Sequence, residues 1–218
     1  HTSLVSDWSS DVCSSDLTPA QLKRFVQAAH RHGLMVFVDV VYNHFGPDGN
    51  WLARYAPQFF DAARHTPWGA AIDFGGAGSR WVREFFIHNA LYWIDEYRVD
   101  GLRLDAVHQI ADGGRPHWLD ELSRRVRAAA GARHVHLVLE NERNDARWLA
   151  APATPGRYDA QWNDDFHHAL HVLLTGERDG YYAAFDHPVE VLTRVLTAGF
   201  WRERPAAGAG FQIGSAHV

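Results

Sequence analysis

Two carboxylates, Asp105 and Glu140, are the residues of this chain best placed to do chemistry. Asp105 follows a short apolar run and lies two residues after Arg103. On a strand that spacing puts both side chains on one face, where the guanidinium keeps the carboxylate ionised at neutral pH. An ionised, positioned Asp can act as a glycosidase nucleophile. Glu140 ends the next apolar run, about one strand–helix–strand unit later.

This pair can divide the acid and nucleophile roles, because two carboxyl groups in different surroundings hold their protons differently. Neighbouring strands lie ~4.8 Å apart, which suits the ~5–5.5 Å separation of carboxyl groups in a retaining glycosidase. Glu142 and Asp145 are alternative acids, and Glu140 is preferred because it ends the apolar run. The competing interpretation of Arg103 and Asp105 is a structural ion pair.

Further polar groups follow the apolar run 34–41. Asp39, Asn43 and His44 are predicted to contact the substrate, with His44 donating to a sugar hydroxyl. The alternative for Asp39 is a hydrogen bond only to the backbone or to Arg103, which would still orient the nucleophile. The spacing of these residues fits no compact zinc or calcium motif, so no metal site is assigned.

The segment WNDDFHHALH, residues 162–171, is also dense in polar groups. Trp162 with Asp164 or Asp165 is typical of a sugar-binding rim, an aromatic platform beside hydroxyl acceptors; the alternative is a capped surface helix. Adjacent histidines point different ways on a helix, so no metal is assigned to this segment either. The remaining candidate substrate contacts are His108, His167 and His168.

Helix and strand patterns alternate from Thr18 onward. Thr18, Pro19 and Gln21 form a capping-box pattern that begins a helix. Strands are predicted at 34–41, 99–105 and 134–140, and helices at 79–97, 116–129, 163–176 and 188–198. Charged residues at the carboxyl ends of buried strands indicate an α/β fold, a partial TIM (β/α)8 barrel. An open doubly wound sheet is the alternative, but no strand is followed by its glycine fingerprint.

The bulk properties exclude several classes of protein. The chain has 218 residues, of which 46% are hydrophobic, and a net charge of −5, which argues against a nucleic-acid partner. No apolar run reaches the ~20 residues of a membrane span. One cysteine and no signal-peptide pattern predict a cytoplasmic protein with no membrane partner. The oligomeric state is left open.

The first 17 residues differ from the rest. They are rich in Ser and Asp, lack any helical or strand period, and resemble the conceptual translation of a sequencing-adapter oligonucleotide. We therefore expect residues 1–17, including Cys13, to be non-native, and residues 18–218 to be an incomplete catalytic barrel domain. The tail 201–218 is rich in Ala and Gly and matches no known pattern.

Three segments together resemble the α-amylase superfamily, glycoside hydrolase family 13. DVVYNH (39–44), GLRLDAVH (101–108) and the strand that ends at Glu140 are similar to its first three signature regions. The resemblance implies roughly strands 3 to 6 of the family's barrel and no cofactor. It further implies that Asp105 is the nucleophile and Glu140 the acid/base, with Arg103 and His44 in the −1 subsite.

Finer details resemble a subfamily that releases trehalose from maltooligosyl trehalose. They are HFGPDGNWL (44–52), ENERND (140–145) and the run 161–182. The resemblance implies maltooligosyl trehalose or a related α-glucan as substrate. Two alternatives stay open: a branching or debranching enzyme of the same superfamily, and a non-catalytic saccharide-binding module.

The chain departs from the family in one respect. The fourth signature, a His-Asp pair that supplies a third catalytic carboxylate, is not found; Asp186 and His187 stand in the reverse order. With only three clear strands, a complete barrel of ~250 residues does not fit. We therefore expect this chain on its own to be inactive.

Overall fold

A computed structural model of the chain describes residues 17–46, 49–66, 68–149 and 156–201. The predicted non-native segment lies outside the described residues except for Leu17, and the tail lies outside except for Trp201. The helices and strands, in chain order, are α1 (Pro19–Arg31), β1 (Phe37–Val40), α2 (Leu52–Tyr55), β2 (Phe60–Thr66), β3 (Gly69–Ile72), α3 (Ser79–Asp95), β4 (Gly101–Leu104), α4 (Trp118–Ala130), β5 (His136–Glu140), β6 (Ala160–Trp162), α5 (Asp164–Thr175) and α6 (Pro188–Ala198).

Side-chain caps mark the starts of α1 and α5. The Thr18 side chain accepts a hydrogen bond from the Gln21 backbone N–H at 3.3 Å, and the Gln21 side chain accepts one from the Thr18 backbone N–H at 2.6 Å. Asn163 caps α5 in the same manner, accepting from the Phe166 N–H at 3.1 Å. These bonds satisfy backbone donors that a helix leaves unpaired at its first turn.

Four strands form one parallel sheet in the order β1-β4-β5-β6. Its two faces differ in chemistry, because successive side chains of a strand point to opposite sides. On one face, Leu102, Leu104, Leu137 and Leu139 are at most 1% exposed and belong to the main core, together with the apolar sides of α3 and α4. The other face carries the charged residues of the strands.

Two sheet elements, like the short helix α2, lie in segments for which the sequence predicted no helix or strand. The β2–β3 hairpin lies between β1 and α3, and β6 lies between β5 and α5. Both are short, and their sequences show no clear alternation. Pairing with a neighbour stabilises them: Val138, Leu139 and Glu140 of β5 pair with the three residues of β6.

A second, smaller core joins α5 and α6. Its buried members are Ala169, Val172, Phe185, Val191 and Val195. None of the helices in the described part of the chain is long and apolar enough to cross a membrane.

Leu139→Ala tests the importance of the apolar face of the sheet. Leu139 is fully buried, so removing its methyl groups leaves a cavity between β5 and the helices. We expect a loss of about 2–5 kcal/mol in the free energy of unfolding, measured by urea denaturation. The matched control is Leu174→Ala, at a residue 75% exposed, which we expect to change stability by less than about 0.5 kcal/mol. Equal losses in the two variants would contradict this packing.

Candidate active site

The candidate site lies where the parallel strands end, on the charged face of the sheet. Strand register brings its residues together: Asp39 pairs with Arg103 across β1 and β4. Leu104 pairs with Leu139, so Asp105 stands beside Glu140. Placement at the carboxyl ends of adjacent strands thus agrees with the sequence analysis.

Arg103 is the centre of this cluster. Its Nη1 donates to Asp39 Oδ1 and Oδ2 at 2.8 and 2.9 Å and to Asp105 Oδ1 at 2.8 Å. Its Nη2 lies 2.8 Å from Glu140 Oε2. Burial alone would lower the pKa of Arg103, and the three carboxylates, Asp39 foremost, raise it above its ordinary value. One guanidinium therefore joins side chains from three neighbouring strands.

Trp162 covers Arg103. The Arg103 guanidinium carbon lies 4.2 Å from the centroid of the indole ring, a cation–π contact. The side chain of Arg103 is 13% exposed, whereas Trp162 is 54% exposed. The indole thus shields the guanidinium while much of its own surface stays open to solvent.

The backbone around Asp105 positions the second carboxylate as well. Asn43 Nδ2 donates to the Asp105 carbonyl at 2.8 Å and to Asp105 Oδ2 at 3.3 Å. The next residue, Ala106, adopts the left-handed conformation with φ of 40°. This turn directs the Ala106 N–H toward Glu140 Oε2 at 3.0 Å.

The surroundings of Glu140 favour its protonated form. Burial is the largest cause that raises the pKa of Glu140, and a hydrogen bond with the Asp105 carboxyl adds to it. The Ala106 N–H and Arg103 act in the opposite direction without cancelling the rise. Arg103 contacts both carboxyl groups at 2.8 Å and so holds them on adjacent strands. A raised pKa is what a general acid requires.

His44 stands at the side of the site. Its Nδ1 is within hydrogen-bonding distance of Asn43 Oδ1, and its ring stacks on Trp68 with the centroids 5.6 Å apart. Burial lowers the pKa of His44, opposed by the charge of Asp105. The sequence analysis did not single out Trp68; the only signal for it was an aromatic residue in the long loop after β1.

His108 contacts Glu142, two residues after Glu140. Its Nε2 is 3.2 Å from Glu142 Oε2, and its Nδ1 accepts from the Glu142 N–H at 3.3 Å. Burial lowers the pKa of His108 and raises the pKa of Asp164. Of the alternative acids, Glu142 therefore pairs with His108, and Asp145 caps a short 3-10 helix by accepting from the Arg147 N–H at 3.2 Å.

The candidate substrate contacts on α5 lie in different environments. Asp165 is only 4% exposed and accepts hydrogen bonds from Asn144 Nδ2 at 2.8 Å and from the Trp201 N–H at 2.9 Å. The ring of His168 stacks on Tyr181, while His167 is exposed beside it. Contact of these side chains with a substrate stays a prediction. The sequence motif does not reveal that Asp165 is buried, because its hydrogen bonds are to residues distant in the chain.

Comparison with known proteins connects this geometry to a family. No model of a known protein family matches the chain. It is 44% identical to a malto-oligosyltrehalose trehalohydrolase from Rhizobium sp. (strain M-11) over 189 residues, which is 85% of the chain and 31% of that relative. The chain thus spans about a third of the length of the curated relatives it matches.

Two solved α-amylase structures resemble the fold of this chain. A Salmonella typhimurium protein assigned as an α-amylase has a TM-score of 0.78 and 43% identity, with 84% of this chain and 31% of that one covered. An Anoxybacillus α-amylase shares the fold at a TM-score of 0.61 and 21% identity, over 85% of this chain and 41% of its own. The four-stranded parallel sheet is therefore part of a TIM barrel, and the predicted fold class is confirmed.

Glu140→Gln tests the raised pKa through stability. Folding raises the pKa of Glu140 above 4.5, so the folded protein holds this proton more tightly than the unfolded chain does. Stability then falls as the pH rises from about 4.5 through the raised pKa. Gln does not titrate, so we expect the melting temperature of the wild type minus that of the variant to decrease across this window. A difference that is constant or increases with pH would contradict the assignment.

Trp162→Leu tests the shielding of Arg103. We expect a loss of about 2 kcal/mol in unfolding free energy, because the cation that Trp162 covers is largely removed from water. Trp81→Leu is the matched control: Trp81 is 65% exposed and contacts the exposed Arg80, so about 0.5–1 kcal/mol is expected. Urea denaturation of both variants gives the comparison. A smaller loss for Trp162→Leu than for the control would count against the contact.

Proposed function

Because the chain belongs to the α-amylase family, with malto-oligosyltrehalose trehalohydrolases among its relatives, we propose that the whole protein releases trehalose from maltooligosyl trehalose. It cleaves the α-1,4 bond next to the terminal trehalose unit. The observation that carries the proposal is the cluster of Arg103 with Asp105 and Glu140 at the ends of β4 and β5. The substrate is inferred from the names of the relatives.

The reaction proceeds in two steps. Glu140, whose raised pKa favours its protonated form, gives its proton to the leaving oxygen while Asp105 attacks the anomeric carbon. The C–O bond to the leaving sugar breaks, and a covalent glycosyl-enzyme forms on Asp105. Glu140 then removes a proton from water, which displaces Asp105. Two displacements leave the α configuration unchanged.

Arg103 holds the proposed nucleophile in place. Its bonds to Asp39 and Asp105 fix the guanidinium on the sheet, and Asn43 holds the Asp105 carboxylate from the other side. His44, stacked on Trp68, presents its ring at the edge of the same cluster. We assign His44 and the open surface of Trp162 to sugar contact.

The remaining predicted contacts belong, in this proposal, farther from the bond that breaks. The side chains of His108 and Asp164 are largely buried near Glu142, and His167 and His168 follow on α5. We assign these groups to sugar hydroxyls beyond the catalytic centre, with Asp165 acting through the loop it holds. The proposal includes a cytoplasmic location, because the sequence offers no pair of cysteines for a disulfide.

The test uses a full-length protein that carries this segment and follows trehalose release from maltooligosyl trehalose. Asp105→Asn removes the nucleophile, and we expect kcat to fall by more than about 10³-fold. Glu140→Gln removes the acid/base, and we expect a fall of about 10²–10⁴-fold. Circular dichroism verifies that both variants fold.

Glu142→Gln and Asp145→Asn are the discriminating controls, because both residues are carboxylates in the same loop. A larger loss in either than in Glu140→Gln would reassign the acid. Branched products from amylose in place of free trehalose would identify a branching enzyme. Sugar binding without any turnover, unaffected by Asp105→Asn, would indicate a binding module. Trehalose release by the 218-residue chain alone would overturn the expectation that it is inactive.

A further inference from the structure

A second cluster of chemically capable side chains lies at the opposite edge of the sheet, where β5 and β6 begin. It consists of His134, His136 and Asp159, and one ligand atom from each lies within 4.8 Å of the others. We propose that this His–His–Asp cluster binds a divalent metal ion of the Zn²⁺ class. The inference is independent of the proposed function, because β5 separates the cluster from Glu140 by roughly 13 Å.

The two histidines share one face of the chain. His136 is the first residue of β5 and His134 comes two residues earlier, with Val135 buried between them. Alternate residues of an extended chain point the same way, so both imidazoles project together. Their ring centroids are 4.4 Å apart at an angle of 78°. Within the described part of the chain, neither imidazole takes part in a hydrogen bond or an ion pair with another side chain.

The carboxylate is held firmly beside them. Asp159 precedes β6, and its backbone N–H donates to the Leu137 carbonyl at 2.9 Å. Its Oδ2 accepts from the Leu137 N–H at 2.7 Å, and Arg127 Nη2 donates to both carboxylate oxygens at 3.0 and 2.9 Å. Such outer hydrogen bonds are what orient a metal-binding carboxylate.

The types of ligand in the cluster indicate which metal ion it binds. Two imidazole nitrogens and one carboxylate oxygen are zinc ligands, with bonds of about 2.0–2.2 Å and a fourth position for water. Bonds of that length require ligand atoms about 3.4 Å apart, which lies inside the 4.8 Å within which these atoms fall. His134 is exposed and can rotate to supply the adjustment, and solvent reaches the cluster from its side.

No zinc motif marks this site in the sequence. No metal was assigned from the sequence, where the histidines considered for one were His44 and those on α5. The signal that was present is His134-Val135-His136 at the start of a strand. Sheet pairing supplies the third ligand, because it brings Asp159 beside Leu137.

The experiment titrates the untagged 218-residue chain with Zn²⁺ by calorimetry and with Co²⁺ by visible absorption. We expect one ion per chain at the highest-affinity site and the strong d–d absorption of four-coordinate Co²⁺. His134→Gln removes an exposed ligand without disturbing the core, and we expect Zn²⁺ affinity to fall by more than about 10-fold. His136→Gln is expected to act likewise.

His32→Gln is the matched control, since His32 is also exposed and follows the end of α1. It should leave Zn²⁺ affinity unchanged, and circular dichroism should show the same fold in all variants. Failure of Zn²⁺ to bind, or equal binding by the wild type and both cluster variants, would overturn the proposal. The assay involves no turnover, so its outcome is separate from that of the trehalose assay.

Discussion

The charge of Arg103 is the constraint on which the arrangement of the candidate site depends. A guanidinium that is 13% exposed has lost most of its hydration, and that loss is tolerated only when carboxylates replace the water. Asp39 and Asp105 supply them from β1 and the end of β4, and Glu140 adds a further oxygen contact from β5. The same ion pairs that compensate the buried cation therefore fix the distance between the two residues assigned to catalysis.

The register of the sheet brings these charged side chains together. The apolar faces of β4 and β5 bind the sheet to α3 and α4, and a shift by one residue would move the leucines to the solvent and the charges to the core. Packing on one face thus determines which side chains meet on the other. The His–His–Asp cluster depends on the same register at the opposite edge, since Asp159 reaches the histidines through the pairing of β5 with β6.

The sequence predicted the parts of the site that local patterns determine. Long helices, buried strands and the carboxylates that end them follow from periodicity, so the pairing of Arg103 with Asp105 and its proximity to Glu140 were accessible. Contacts between distant segments were not: Trp162 over Arg103, Trp68 against His44 and the buried bonds of Asp165 each depend on how loops return to the sheet. The strand β6 belongs to the same class, because three residues carry too little pattern to identify a strand.

The left-handed backbone at Ala106 has a consequence for motion. Arg103, Asp105 and the Ala106 N–H lie within four consecutive residues, so the cation, the proposed nucleophile and the amide donor form one covalently linked unit. Glu140 belongs to another strand and meets this unit only through hydrogen bonds and ion pairs. A displacement of β5 relative to β4 would therefore change the position of Glu140, the proposed proton donor, while Asp105 keeps Arg103 as its charged partner.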